Sequence, residues 1–483
     1  MFSWRPILFI EGLLLVGLAA AMLLPALVDF LAGDPDWQVF LAAATVTLYA
    51  GGMLLLGNRG ASGNLNLRQT YALTTLSWLL ICAFAALPFA FGEPGLSYAD
   101  AFFEAMSGLT TTGSTVIVGL DDLPAGTLLW RGLLQMLGGI GIIAMAVAIL
   151  PFLSVGGMQL FRTESSDRSE KVLPRPGQVA AAIVNAYLAL LAVAALSFWL
   201  AGMSGLDAVV HAMAALSTGG FSNHDASLGW FDSALIEWLS ILFMVLGSLP
   251  FLLYVRMAQG HRGALLADSQ VRVFCGVLVV SAAVLAGWNL AAGTFEDTHQ
   301  AVRRSAFAVV TVVTTTGFTV DDFSAWGAFP LIFILFLMAV GGCTGSTTGG
   351  VKIFRLQIVA LMVRYHLRQN LFPRRVFSLQ YAGRPVTAEV MLAVVVFLFI
   401  YLGVVMLLAA ALSLFGIDFL TALSGALTAV SNVGPGLGPI IGPAGNFRSL
   451  PDGAIWILSL GMLLGRLELL TVMVFFMRSY WKN

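Results

Sequence analysis

The stretch LTTTGSTV spans Leu109–Val116, and VTTTGFTV spans Val313–Val320. Two near-copies of Thr-Thr-Thr-Gly in an apolar chain decide how the rest is read. A hydroxyl taken out of water costs free energy unless it finds a partner, so a recurring threonine run points to oxygen atoms with a function. Two looser copies complete the set, Ser217-Thr218-Gly219-Gly220-Phe221 and Ser431-Asn432-Val433-Gly434-Pro435. Aligned on the fourth position, all four segments have glycine: Gly113, Gly220, Gly317 and Gly434.

Around these segments the chain reads as a membrane protein. Of its 483 residues 59% are hydrophobic and 10% charged, and the mean hydropathy is +0.92; soluble domains carry about 25% charged residues. The net charge of −1 identifies no partner. Cys82, Cys275 and Cys343 are too few and too scattered for a disulfide framework or a zinc site. A spanning helix needs about 20 apolar residues, and runs of that size lie near 7–31, 37–57, 71–92, 126–153, 179–201, 231–257, 273–294, 328–362, 386–415 and 453–477. The first is read as a retained transmembrane helix, since no small-residue cleavage pattern follows it.

Shorter apolar runs at 98–109, 206–216, 299–313 and 418–430 are too brief to span and read as re-entrant. Basic residues cluster in alternate loops and at the C-terminus, among them Arg162, Arg175, Arg262, Arg374, Arg375 and Lys482. The positive-inside rule then makes both termini cytoplasmic and puts the short runs on the outer side. That side is rich in acids such as Asp100, Asp121, Asp207, Asp297 and Asp418, with Arg131, Arg303, Arg304 and Arg448 as its only basic residues. From residue 71 onward the order span, short run, Gly-containing segment, span occurs four times.

Non-helical backbone at membrane depth is tolerated where protein or water satisfies it. Four short helices, each followed by an extended Gly-containing segment, can meet on one axis and present backbone carbonyls that replace an ion's hydration shell. Glycine permits the close approach and the left-handed backbone conformations this needs. Threonine and serine hydroxyls can add ligands or brace the carbonyls, and the helix C-termini favour a cation. The residues expected to form the filter are Thr111, Thr112, Gly113, Thr218, Gly219, Gly220, Thr315, Thr316, Gly317, Asn432, Val433 and Gly434.

The run 328–362 is too long for one helix across about 30 Å of hydrocarbon. Its middle, Gly341-Gly342-Cys343-Thr344-Gly345-Ser346-Thr347-Thr348-Gly349-Gly350, breaks a helix. It is expected below the filter, as a flexible constriction that gates the path. Arg466 lies mid-span in the last run, where a charge costs about 2.5–3.5 kcal/mol on insertion scales; it is expected to bond carbonyls of the loop or to pair with a carboxylate. Lys352, just after the loop, is expected to help set its closed form. Gly138–Gly141 follows no strand and is no dinucleotide fingerprint, and GSTTGGVK lacks the ending of a phosphate loop. His211, His224, His261, His299 and His366 share no ligand spacing, and no nucleophile–base constellation occurs, so an enzyme is not expected.

The sequence resembles the TrkH/TrkG/KtrB superfamily of bacterial potassium-uptake proteins over about residues 70–483. Four passages carry the resemblance: Glu104–Gly113; Trp130-Arg131-Gly132 with Gln135–Gly141; Gly341–Lys352; and Asn432–Gly438 with Gly465-Arg466-Leu467-Glu468. The helix pair before residue 60 favours the TrkH branch over KtrB. Met136 stands where the family often has Trp, and Thr348 where an all-Gly run is common. Gly219 and Val433 replace Thr at the third filter position, so the ring is quasi-fourfold only. In related plant transporters, serine at the first filter glycine goes with sodium transport; Gly113 at that position favours potassium.

The expected fold is therefore an all-α polytopic membrane protein. A two-helix unit (1–60) precedes four repeats in pseudo-fourfold arrangement, at 70–155, 178–258, 272–366 and 385–480. The resemblance implies potassium as the transported ion, a location in the bacterial inner membrane and a homodimer. It also implies gating by a TrkA-type cytosolic nucleotide-binding subunit, with no covalent cofactor and no nucleic acid. The basic loops 154–178 and 364–384 are the expected docking surfaces. A proton- or sodium-coupled potassium symporter, a sodium-selective pore and a polytopic enzyme are the alternatives; few acids (Glu11, Glu237, Glu389, Glu468) lie in the spans to serve a proton relay.

Overall fold

The computed structural model describes residues 2–60, 65–148, 176–475 and 477–481. Helices α1 (Arg5–Ala32) and α2 (Trp37–Gly57) form an N-terminal hairpin. It is closed by Gly33, which sits in the left-handed region at φ 77° and donates back to the Asp29 and Phe30 carbonyls. Where the two helices cross, a methyl on Gly12 or Gly51 would fall within 3.0 Å of the other's carbonyl oxygen, so only glycine allows this spacing. Two buried acids tie the hairpin to the rest: Ser77 donates to Glu11 at 2.9 Å, and the Gly126 N–H donates to Asp29 at 2.6 Å.

Four repeats follow. The first is α3 (Leu67–Ala85, continued by a turn at Leu87–Phe91), α4 (Tyr98–Leu109) and α5 (Ala125–Ala148). The second is α6 (Pro176–Leu200), α7 (Gly205–Leu216), α8 (Ala234–Gly247) and α9 (Phe251–Ala258). The third is α10 (Ser269–Ala291), α11 (Thr298–Val313), α12 (Ala328–Leu337) and α13 (Ile353–Leu371), and the fourth α14 (Ala388–Ser413), α15 (Phe419–Ser431), α16 (Asp452–Arg466) and α17 (Leu470–Phe475). A two-residue hairpin pairs Gln380–Tyr381 with Arg384–Pro385 in the loop between α13 and α14.

The short helices α4, α7, α11 and α15 are 12, 12, 16 and 13 residues long. At about 1.5 Å per residue they reach only part-way through about 30 Å of hydrocarbon. Each starts on a side-chain cap: Ser97, Ser204, Asp297 and Asp418 accept backbone N–H bonds from the first turn. All four form the buried centre, and Ala101, Phe103, Ala212, Ala214, Ala301 and Ala426 are fully buried on them. The long helices surround them and keep large apolar side chains exposed, Leu200, Val279, Phe399 and Leu407 among them, as lipid-facing surfaces do.

Three of the ten apolar runs are not straight spans. The run 231–257, expected as one helix, bends by 90° between α8 and α9. Pro250 stands at that break and has no N–H to continue the ladder. The run 328–362 breaks between α12 and α13, at the Gly-rich middle. The run 453–477, also expected as one helix, breaks between α16 and α17, where Glu468 and Leu469 take left-handed φ of 59° and 46°. Among the described residues, seven helices are then long and apolar enough to cross a membrane, or eight counting the bent pair. The chain is an all-α multi-pass membrane protein.

Candidate functional site: four glycine segments around one centre

Each short helix stops in the same way. Its last turn ends at Thr110, Ser217, Thr314 or Ser431, and the next residue turns into the left-handed region: Thr111 at φ 52°, Thr218 at 52°, Thr315 at 57° and Asn432 at 57°. This conformation costs a non-glycine residue of order 1–3 kcal/mol, so its fourfold recurrence marks a built feature. The fourth-position glycines sit at φ 88°, 76°, 87° and 110°.

These glycines close a ring. A methyl on Gly113 would fall under 3.0 Å from the Gly219 carbonyl oxygen, one on Gly220 from that of Thr316, and one on Gly317 from that of Val433. On Gly434 it would lie 3.0 Å from the Thr112 oxygen, which returns the circuit to the first segment. In every joint the fourth-position glycine meets the third-position carbonyl of the next segment. Left-handed φ and close approach both exclude a side chain there. All twelve expected filter residues meet at this centre, and all but Gly113 are fully buried.

The hydroxyls brace this backbone. Thr110 and Thr112 share a hydrogen bond at 2.7 Å and Thr314 and Thr316 one at 2.8 Å. The Asn432 amide donates to the Thr112 hydroxyl and to the Met462 carbonyl, both at 3.0 Å. Ser114 donates to the Gly434 carbonyl at 2.6 Å and Tyr401 bonds Ser431 at 2.6 Å.

Further braces come from residues not expected at the site. Arg131, almost fully buried on α5, pairs with Glu104 of α4 at 2.9 Å, and its guanidinium lies 4.0 Å from the centre of the Phe221 ring. Glu104 also accepts from Thr115 and from the Val116 N–H, each at 3.0 Å. Gln135, on the same helix, reaches Gly219 and Phe221. Arg304 donates to the Val320 carbonyl at 2.6 Å and Arg303 pairs with Glu237 at 3.0 Å. A charged or amide side chain in an apolar helix is costly unless partnered, and that signal was present in the sequence at Arg131 and Gln135.

The Gly341–Gly350 loop lies against the second, third and fourth segments. Thr347 accepts from the Thr218 hydroxyl at 3.1 Å and donates to the Gly247 carbonyl at 3.0 Å. The Gly349 N–H donates to Thr315 at 2.9 Å, and a methyl on Gly349 would strike the Ser431 carbonyl. The Gly342 N–H donates to Thr348, whose hydroxyl bonds Ser346, and Ser346 donates to the Cys343 carbonyl. The Thr344 N–H donates to Gln270 at 3.1 Å. Gly341, Gly345 and Gly350 take φ of 74°, 83° and 72°. Arg466 donates to the Thr347 carbonyl at 2.7 Å and to the Gly138 carbonyl at 3.2 Å; of the two partner types expected for it, loop carbonyls are the one present. Lys352 pairs with Glu468 at 3.2 Å, and Arg355 pairs with the other Glu468 oxygen.

Among the described residues no group of three or more His, Cys, Asp or Glu could hold a metal ion. The oxygens gathered at the centre are neutral carbonyls and hydroxyls, which suit a weakly held monovalent cation better than a tightly held divalent one. The basic loop 154–178 lies, to residue 175, outside the described residues.

Comparison with known proteins agrees with this geometry. Residues 36–483 match the family model TrkH, described as a cation transport protein. The Trk system potassium uptake protein TrkI of Halomonas elongata is 48% identical over 481 residues, 99% of this chain and 97% of that protein. The Trk system potassium uptake protein TrkH of Escherichia coli strain K12 is 37% identical over 488 residues, 99% of this chain and 100% of that protein. The crystal structure of the potassium transporter TrkH from Vibrio parahaemolyticus superposes with a TM-score of 0.92 at 35% identity, covering 100% of both chains. The chain belongs to the TrkH family of cation transport proteins; it is a transport protein and not an enzyme.

Proposed function

We infer that this chain carries potassium ions into the cell across the bacterial inner membrane. Ions shed water at the ring of Thr111–Gly113, Thr218–Gly220, Thr315–Gly317 and Asn432–Gly434, then pass the Gly341–Gly350 loop. The observation that carries this reading is the closed circuit of four glycines against four third-position carbonyls. Carbonyl rings substitute for the hydration shell of a potassium ion, and the C-termini of four short helices add a favourable potential. The acid-rich face is outer and both termini are cytoplasmic, as the distribution of basic residues requires.

The loop is the gate. It crosses directly beneath three of the four segments and is held by hydrogen bonds to Thr218, Thr315 and Arg466. The Arg466 charge, buried at this level, opposes a cation while the loop is in place. Opening is driven by a TrkA-type cytosolic nucleotide-binding subunit docked on the basic loops 154–178 and 364–384, in an assembly where the chain is a homodimer. Passive conduction is favoured over coupling to protons, because Glu237 and Glu468 are tied in ion pairs and Glu11 accepts from Ser77 in the contact between α1 and α3.

The test is ion flux into proteoliposomes under potassium and then sodium gradients, comparing wild type with Gly113→Ser. A wild-type preference for potassium that the substitution erodes supports the reading. A wild type that passes neither ion with the nucleotide-binding partner supplied, or a substitution that leaves selectivity unchanged, overturns it. Charge reversal in 364–384 should abolish co-purification with the partner; retained binding removes the docking assignment.

A further inference from the structure

The second segment lacks the hydroxyl that braces the first and third. Its third residue is Gly219, where the others of that type have Thr112 and Thr316. The side-chain space at Gly219 is nevertheless filled. A Cβ there would lie 2.7 Å from both Nε2 and Oε1 of Gln135, which is fully buried on α5. The Gln135 amide donates to the Gly219 carbonyl at 2.6 Å and accepts from the Phe221 N–H at 3.2 Å. The reverse amide orientation would set oxygen against oxygen and N–H against N–H, so the network fixes it. The two bonds straddle Gly220, whose own close contact is with the Thr316 carbonyl, while the clamped Gly219 oxygen is the one that meets Gly113.

We propose that Gln135 is a positioning residue for ion selection: its carboxamide replaces the missing third-position hydroxyl and fixes the carbonyl at the joint between the first and second segments. This rests on the potassium-filter reading above. Gln135 reaches Gly219 with one N–H, which uses one of the two lone pairs of that carbonyl and leaves the other for an ion. Without the clamp, two buried backbone groups lose their partner and the oxygen is free to move, and a carbonyl ring that can shrink discriminates less between potassium and the smaller sodium.

The experiment measures potassium and sodium flux in proteoliposomes for wild type, Gln135→Leu, Gln135→Ala and the double variant Gln135→Ala/Gly219→Ser, normalised to inserted protein. Gln135→Leu keeps the volume and removes both bonds. Its potassium-over-sodium preference is expected to fall about tenfold, the scale of one hydrogen bond left unmade to a buried group. The double variant places a hydroxyl beside Ser217, as Thr112 stands beside Thr110, and is expected to recover most of the preference lost in Gln135→Ala. A merely structural role would lower protein yield and both fluxes together, with their ratio unchanged. An unchanged ratio in Gln135→Leu, or no recovery in the double variant, overturns the proposal while leaving the filter intact. A wild type with no preference overturns the filter reading and this proposal with it. Should Gln135→Leu fail to insert, the comparison of Gln135→Ala with the double variant decides alone.

Discussion

The first and third segments and the second and fourth solve one problem in two ways. Segments one and three are Thr-Thr-Thr-Gly, and each braces itself: the third-position hydroxyl turns back on the first, at 2.7 and 2.8 Å. Segments two and four have Gly219 and Val433 at that position: segment two is braced by Gln135 on α5, and segment four is tied by its own Asn432 to the Met462 carbonyl of α16 and by Tyr401 of α14 to Ser431. The ring runs one, two, three, four, so like segments face each other across the centre and the symmetry is nearer twofold than fourfold. The difference teaches that the threonines are primarily struts. What all four share is the left-handed second residue and the glycine; what varies is how the carbonyl between them is held. Two second-position side chains, Thr218 and Thr315, bond the Gly341–Gly350 loop; Asn432 instead donates to Thr112 and Met462, and the buried Thr111 hydroxyl has no hydrogen-bond partner among the described residues.

Substitutions can break that comparison. The largest effect is expected from Gly220→Ala, which puts a methyl under 3.0 Å from the Thr316 carbonyl at a left-handed φ. Potassium flux in proteoliposomes should be abolished, and near-normal flux would mean that the ring does not bear on conduction. Arg131→Ala comes next. Removing one partner of a buried ion pair costs about 3–5 kcal/mol, here at the contact that joins segments one and two, so thermal unfolding in detergent should shift strongly downward; an unchanged midpoint would make the pair dispensable.

Arg466→Ala removes the donor from the Thr347 and Gly138 carbonyls. Partner-free potassium flux is expected to rise several-fold as the loop loosens, by about 1–3 kcal/mol for the buried acceptors left unsatisfied; falling or unchanged flux would argue against a gate. Thr112→Val separates strut from ligand. A strut costs about 1 kcal/mol and erodes potassium preference a few-fold with flux retained, whereas loss of all flux would make the hydroxyl an ion ligand and restore the Thr-Gly segments as a class apart. The smallest effect is expected from Tyr401→Phe, which removes one hydroxyl bond to Ser431 and about 0.5–1.5 kcal/mol, visible as a slight fall in unfolding temperature with selectivity intact.

Much of this was legible in the chain because it is written locally. Apolar runs and their lengths gave the membrane class, the four short runs gave the re-entrant helices, and Gly113, Gly220, Gly317 and Gly434 marked the segments. The bend at Pro250 was also local, since a proline inside an apolar run announces a break, yet the run 231–257 reads as continuous when judged by hydropathy alone. The break at 467–469 carries no such mark. Leu467, Glu468 and Leu469 are ordinary helix formers, and the left-handed turn at Glu468 and Leu469 accompanies the Glu468 pairs with Lys352 and Arg355, more than a hundred positions away.

By itself, then, the sequence determined the lipid environment, the fourfold repetition and the chemical type of the site, because hydropathy, helix length and glycine's freedom are properties of short stretches. Only the tertiary structure decided which carbonyl each glycine meets, that the ring closes in chain order, and that Gln135, Arg131 and Glu104 hold it. Those are contacts between residues distant in sequence. Their energy depends on a partner's position and not on composition, so the third-position gap at Gly219 and the amide that fills it become one feature only once α5 is packed against the second segment.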